Sequence, residues 1–273
     1  MTKQIIIKIL QYSILFLLAL IALYPLFFMF ITSFKDNADF YGNFWGFPSK
    51  LRWNNYKEVM PKVVLWLKNT TIYSGLNMIL VITIASSTAF AFSRFEIKHK
   101  ELFYSLFMLL LMMPGILLLV PMYVIIAHWG GVNKIWGLVL PWTAVEIPMA
   151  TMILRSFFDS IPKEMFEAAV IDGAGEFRIF RSIAVPLAKP AITTVIILDL
   201  LFTINDVLWP LLIISKGELK PISTGVIAFQ GASGAITWGH VFAIYCLCSI
   251  PFLIIFAFLA RNFVEAIVSG AIK

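Results

Sequence analysis

Three carboxylates stand inside otherwise apolar stretches of this sequence: Glu146, Asp199 and Asp206. A charge there is costly unless it faces a cavity or a partner, so each marks a place where polar atoms have work to do. Asn205 is adjacent to Asp206, and Trp209 follows in the same stretch, while Trp142 precedes Glu146. Carboxylate and amide groups beside indole rings can hydrogen-bond hydroxyls and pack against the flat face of a sugar ring. Glu146, Asn205, Asp206 and Trp209 are therefore the candidate solute-contact residues. Their acidic balance argues against a strongly anionic solute. A plainer reading stays open: a buried structural hydrogen bond for Glu146, and helix-to-helix bonding for Asn205 and Asp206.

Other chemistries find no residues to carry them. No glycine loop of the form G-x-x-x-x-G-K-[ST] occurs, so a nucleotide site on this chain is not expected. No His-x-x-x-His or Cys-x-x-Cys pair offers metal ligands, and no nucleophile elbow is present. No catalytic residue and no metal are expected. His99, His128 and His240 are scattered at the edges of apolar runs, where they read as interfacial polar residues. Cys246 and Cys248, two apart on a helix, point in different directions and read as packing residues.

The elements that must position these groups are membrane spans. Of 273 residues 60% are apolar and 13% charged, against about 45–50% and about 25% in soluble domains. That excludes an ordinary soluble enzyme, a disordered chain and a disulfide-stapled secreted domain. It leaves apolar residues for about six or seven spans of about 20 residues each. Uncharged runs place six, at about 9–34, 69–93, 102–127, 135–154, 190–215 and 241–260. The first is too long for a secretory signal and no small-residue cleavage site ends it, so a retained span is expected. The fourth is interrupted by Pro141, Glu146 and Pro148, and broken spans near the midplane are where binding sites form. Six spans put both termini on one side. Lys3, Lys8, Arg94, Lys98, Lys100, Arg155, Lys163, Arg178, Arg181 and Lys189 all fall on that side, which makes it cytoplasmic. Six basic residues of the long 35–68 loop fall on the other side, with Lys134, Lys216 and Lys220. In the second span Ala85 and Ala89 are spaced for close helix packing, within this subunit or against a second membrane subunit. The net charge of +6 fits this positive-inside bias and gives no reason to expect nucleic acid.

The stretch 155–189 is polar, amphipathic and cytoplasmic. Phe157, Phe158, Ile161, Met165, Phe166, Ala169 and Val170 form a rough helical stripe. Pro162, Lys163 and Glu164 suit a helix start, Gly173 and Gly175 suit its end, and a second helix fits 176–184. A loop with helices of its own usually has a function. Glu167-Ala168-Ala169, three residues, Gly173, nine residues, then Ile183 and Val185-Pro186, resemble the EAA loop of the membrane subunits of binding-protein-dependent ABC importers. Asp172-Gly173-Ala174 is similar to the carbohydrate branch, the maltose-type permeases. The resemblance extends to Phe34-Lys35, Asn205-Asp206, Trp209-Pro210 and the end Ser269-Gly270-Ala271-Ile272-Lys273. Val185 departs from the leucine usual there, Ile204 from a common tryptophan, and the usual final glycine after Lys273 is missing.

The resemblance implies an all-α, six-helix membrane protein of the type I ABC importer permease kind, one permease domain over 1–273. It implies a prokaryotic cell (inner or plasma) membrane, multi-pass insertion, and import of a sugar or oligosaccharide by alternating access. The implied partners are a second permease subunit, two copies of an ATPase subunit and an extracellular solute-binding protein. ATP and Mg would be held by the partner ATPase, with none on this chain, which is not itself an enzyme. Glu167, Ala168, Ala169, Asp172 and Gly173 are the implied ATPase-coupling residues. The small side chains would let the helix sit in a cleft of the ATPase, and Glu167 would pair with a basic residue at its rim. A permease for another solute, such as a glycerol phosphate, peptide or amino acid, remains an alternative. So does a proton-coupled carrier or channel using Glu146, Asp199 and Asp206. A cysteine placed at Glu176 should be labelled by impermeant maleimide only from the cytoplasmic side. Labelling from outside intact cells would reverse the topology.

Overall fold

The computed structural model describes residues 2–232, 236–251 and 253–254. These are helical throughout, with no strand among the described residues. The helices are α1 (Thr2–Thr32), α2 (Asn37–Gly42), α3 (Asn54–Arg94), α4 (Lys100–Met108), α5 (Gly115–His128) and α6 (Ile135–Phe158). They continue as α7 (Lys163–Ile171), α8 (Glu176–Ile179), α9 (Val185–Leu187), α10 (Lys189–Asn205), α11 (Leu208–Ile213), α12 (Ile222–Ala232) and α13 (Trp238–Pro251). Two compact units divide the described chain. One takes residues 1–65 and 225–254, the other residues 66–224.

By length and apolarity alone, α1, α3 and α6 each suffice to cross a membrane. Two bent pairs bring the number to at most five among the described residues. The expected sixth span begins as α13, and its second half lies outside the described residues, as do Arg261 and the 269–273 tail. The expected third span is not one rod. It bends by 97° between Met112 and Gly115, because Met113, which precedes Pro114, is held extended at ψ 122°. The fourth span, expected to be broken, is instead one helix through Pro141 and Pro148. Buried packing on both sides holds it, with Pro141 and Pro148 themselves enclosed, and neighbouring helices make interior prolines tolerable in spans. The break lies in the fifth span, where Asp206 turns extended (ψ 121°) and ends α10 before α11 begins.

In the first unit the segment after α1 is tied down by polar bonds. Lys35 is fully buried, its ammonium donating to Asn43 O at 2.7 Å and Phe44 O at 3.0 Å. Burial pushes its pKa below the usual lysine value, against a smaller opposing pull from Asp39. Asn55 donates to Ser33 O (2.8 Å) and Lys35 O (3.0 Å). Asp36 caps α2 by accepting from Asp39 N at 2.8 Å and pairs with Arg52.

In the second unit a close-packed cluster joins α3, α6, α7 and α10. Ala85, Ala89, Leu154, Phe158, Phe166, Ala188 and Val195 are its buried members. Ala85 and Ala89 are thus spent on packing inside this chain. A second cluster gathers Tyr73, Leu138, Trp142, Trp209 and Ile213. Gly137 is required here: a methyl at that position would stand 2.1 Å from Gly131 O. Gly137→Ala should therefore destabilise the detergent-solubilised protein by about 1–3 kcal/mol through overpacking. Gly75→Ala in α3, where nothing lies within 4 Å, should be neutral or stabilising. Thermal unfolding of the two variants checks the contrast.

Candidate functional site

Three spans of the second unit bring polar groups to a common point. Asn77 (α3) donates through Nδ2 to Glu146 Oε2 (α6) at 2.8 Å and to Asp199 Oδ1 (α10) at 2.6 Å. Its carbonyl accepts from Thr143 Oγ1 at 2.7 Å. An amide has two N–H donors and one carbonyl, and here all are used. One turn away Thr203 Oγ1 donates to Ser74 Oγ at 2.8 Å, a second rung between α10 and α3. Asn77 and Asp199 are almost completely buried. Asp199 Oδ2 has no partner among the described residues. Beside it lies a cavity of about 250 Å³ lined by Glu146 and Asp199 together with Val81, Met149, Val195 and Phe202. Ordinary small-molecule pockets span about 300–1,000 Å³, so the cavity lies just below that range.

The sequence expectation placed Glu146, Asn205, Asp206 and Trp209 together, and the structure divides them. Glu146 lies with Asn77 and Asp199 on the cavity wall. Asp206 sits at the α10–α11 break, accepting from Trp142 Nε1 at 2.6 Å. Its other oxygen accepts from Leu208 N at 3.1 Å and Trp209 N at 3.4 Å, so it caps α11. Asn205 is exposed and donates to Leu201 O at 2.7 Å. Trp209 is 2% exposed and donates to Leu138 O at 3.2 Å, which leaves its ring faces to core packing. Asn77 carries no flag in the sequence beyond being a lone amide in an uncharged run. Ser74 three residues before it puts both on one helical face, and that spacing was the available signal.

The 155–189 segment forms the helix, glycine turn and second helix that its spacing predicts. Pro162 precedes α7, and Asp172 and Gly173 end it. Gly173 takes φ +80°, its N–H bonding Val170 O at 2.9 Å while Ala174 N bonds Ala169 O at 2.9 Å. Those two bonds form the glycine-dependent Schellman cap. α7 buries Phe166 and Ala169, and Phe166 packs edge-on against Phe90 with ring centres 6.4 Å apart. Ala169 is therefore covered from within, unlike the expectation that it is open to a partner. Glu167, Ala168, Asp172 and Gly173 are exposed. Beside them stand residues the sequence reading did not mark: Ile171 and Phe177, 86% and 74% exposed. These two large apolar side chains, at the end of α7 and in α8, are left uncovered by the rest of the described chain. Arg94 lies 5.1 Å from the Phe166 ring centre and 3.9 Å from Glu176, tying α3 to this segment. After α8 a π-helical turn over Phe180–Ala184 leads into α9, and the Glu176–Leu187 helix meets α10 at 74°.

Residues 81–269 match the family model described as the binding-protein-dependent transport system inner membrane component. The chain is 31% identical to the trehalose/maltose transport system permease protein MalG of Thermococcus litoralis, covering 94% of each. It is 29% identical to the melibiose/raffinose/stachyose import permease protein MelC of Bacillus subtilis, covering 91% of each. Its fold is similar to a chain of a crystal structure of a bacterial ABC transporter that imports the acidic polysaccharide alginate. The TM-score is 0.78 at 22% identity, over 94% of this chain and 96% of that one.

Replacing Asn77 by leucine leaves two carboxylates and Thr143 without their shared partner. Each buried polar group so stranded costs about 1–3 kcal/mol. Asn77→Leu should therefore lower the unfolding midpoint in detergent well below that of Asn205→Leu, whose side chain is exposed. Equal midpoints would mean that the Asn77 bonds do not hold the three spans together.

Proposed function

The chain belongs to the family of binding-protein-dependent transport system inner membrane components, and from that premise we propose that it imports a sugar or oligosaccharide as one permease half of an ABC transporter. The observation that carries the coupling half of this reading is the α7–α8 segment. It is a capped helix bearing Glu167, Ala168, Asp172 and Gly173 on its open face, with Ile171 and Phe177 uncovered beside them. An ATPase subunit is the partner such a surface fits, and ATP and Mg belong to that subunit. The sugar half is supported by the relatives, whose substrates are named as sugars. It is supported also by a cavity whose polar wall is acidic and whose remainder is apolar, a lining that suits hydroxyls and ring faces.

In this mechanism the second permease completes the cavity, and an extracellular binding protein delivers the solute. ATP-driven closure of the ATPase pair moves α7–α8, and α10 carries Asp199 with it. Glu146 and Asp199 offer acceptors for hydroxyls while the cavity is open to one side of the membrane. Asn205, Asp206 and Trp209 then act by shaping the α10–α11 break, with Asp206 held by Trp142. Both termini lie in the cytoplasm, and six spans cross the membrane.

Gly173 and Gly175 give a paired test. A side chain at either meets nothing within 4 Å, but only Gly173 has a positive φ. Gly173→Asp strains the cap and adds charge to the coupling face, so ATP-driven uptake should fall at least about ten-fold if the lost coupling exceeds 1.4 kcal/mol. Membrane insertion should survive. Gly175→Ala should transport normally. Normal uptake by Gly173→Asp with the ATPase bound would remove α7 from the coupling role.

A further inference from the structure

The stretch from the end of α2 to the start of α3 exposes aromatic rings that neither the transport path nor the coupling surface uses. Tyr41, Trp45, Phe47 and Trp53 are each at least 60% exposed. They are not at the tip of a loop reaching into water. The chain turns back beside α1: Trp45 lies 6.4 Å from Tyr24 and 5.6 Å from Phe28 between ring centres, and Phe47 lies 6.3 Å from Phe27. Tyr24 is eight residues before the end of α1 at Thr32, about 12 Å down the helix axis. The rings therefore sit level with the span and not beyond it.

The level can be fixed from the other end. α1 presents no buried residue in its most apolar window. Lys8 is its last charged residue, and from there to Phe28 the helix rises about 30 Å, the thickness of the hydrocarbon core. Tyr24–Phe28 then mark the far boundary of that core, the depth at which tryptophan and tyrosine collect in membrane proteins. Lys50 of the same segment and Lys57 at the start of α3 are both exposed. They are among the basic residues that the positive-inside bias leaves unexplained on this face. Lipid phosphates give them a partner.

We infer that residues 43–53 form an interfacial anchor, with Trp45 and Phe47 inserted among the lipids of the leaflet at the C-terminal end of α1 and Lys50, with Lys57 at the start of α3, facing its headgroup phosphates. The occupant of this surface is the bilayer itself. The frame that holds the rings down is polar and internal. Asp39 accepts from Ser49 N at 2.7 Å and from Ser49 Oγ at 3.0 Å, and Lys35 grips the carbonyls of Asn43 and Phe44 from beneath. The inference rests on α1 being a span and is independent of which solute is carried.

The test is collision accessibility. Nitroxide labels are placed singly at Trp45→Cys, Phe47→Cys and Lys50→Cys in the complete transporter, reconstituted in nanodiscs of phosphatidylethanolamine and phosphatidylglycerol. Cys246 and Cys248 are buried and leave the reagent to the introduced thiol. At positions 45 and 47 oxygen should relax the label strongly and a water-soluble nickel chelate hardly at all, with the ratio reversed at position 50. Strong relaxation by nickel at 45 and 47 would put the rings in water and overturn the proposal. Weak relaxation by both agents there would mean that a protein partner covers them, and would overturn it equally. Uptake activity measured on the same samples reports separately on transport, and a label that blocks assembly at one position leaves the other to decide.

Discussion

Hydrocarbon supplies no hydrogen bonds, so every polar atom inside a span must find its partner in protein or face a cavity. In this chain that constraint concentrates on the amide of Asn77. Two carboxylates from two other helices converge on its single nitrogen, and its oxygen takes a hydroxyl from a fourth side chain. Remove the amide and Glu146 and Thr143 on α6 and Asp199 on α10 lose the partner they share. Interhelical hydrogen bonds in membranes contribute only about 0.6–2 kcal/mol each. Their value here is in register: only one rotation of each helix brings the three groups to one point. The cavity beside Glu146 and Asp199 inherits its shape from that fixed register.

The sequence shows some of this directly and hides the rest for a physical reason. The helix α7 and its cap are legible because their determinants are local. Pro162 starts it, and Gly173 accepts the left-handed conformation that closes it. The Met113–Pro114 break is not legible in the same way, because the restriction that proline places on its predecessor applies equally before Pro141 and Pro148, where the helix continues. Asn77 is different. Its partners are 69 and 122 residues away, and no spacing rule spans that distance. The same holds for Trp209. Neighbouring Asn205 and Asp206 made it resemble a path residue, but its indole N–H bonds a carbonyl 71 residues distant. Proximity along the chain suggested a site, and proximity in space divided it.

Prolines illustrate how context outweighs local preference. Pro141 and Pro148 sit in one uninterrupted helix, while Pro114 stands at a 97° bend. The first two are enclosed by neighbours, and the bend at Met113–Pro114 lies among exposed residues. Enclosure is not the deciding factor, since the exposed Pro25, Pro61 and Pro121 also lie inside uninterrupted helices; what sets Pro114 apart is the extended Met113 before it.

The 74° meeting of the Glu176–Leu187 helix with α10 has a mechanical consequence. The corner is a tight one, with Ala184 and Ala188 completely buried and Phe180 packed on Phe90 at 5.2 Å between ring centres. Two stiff arms joined at a packed corner behave as a bell crank. A push on the short arm would be passed through the corner as a swing of the long one. The π-helical turn at Phe180–Ala184 sets the angular offset between the arms. Adding or deleting one residue there would rotate one arm about its axis by about 100° relative to the other. The stroke would survive, and its direction would not.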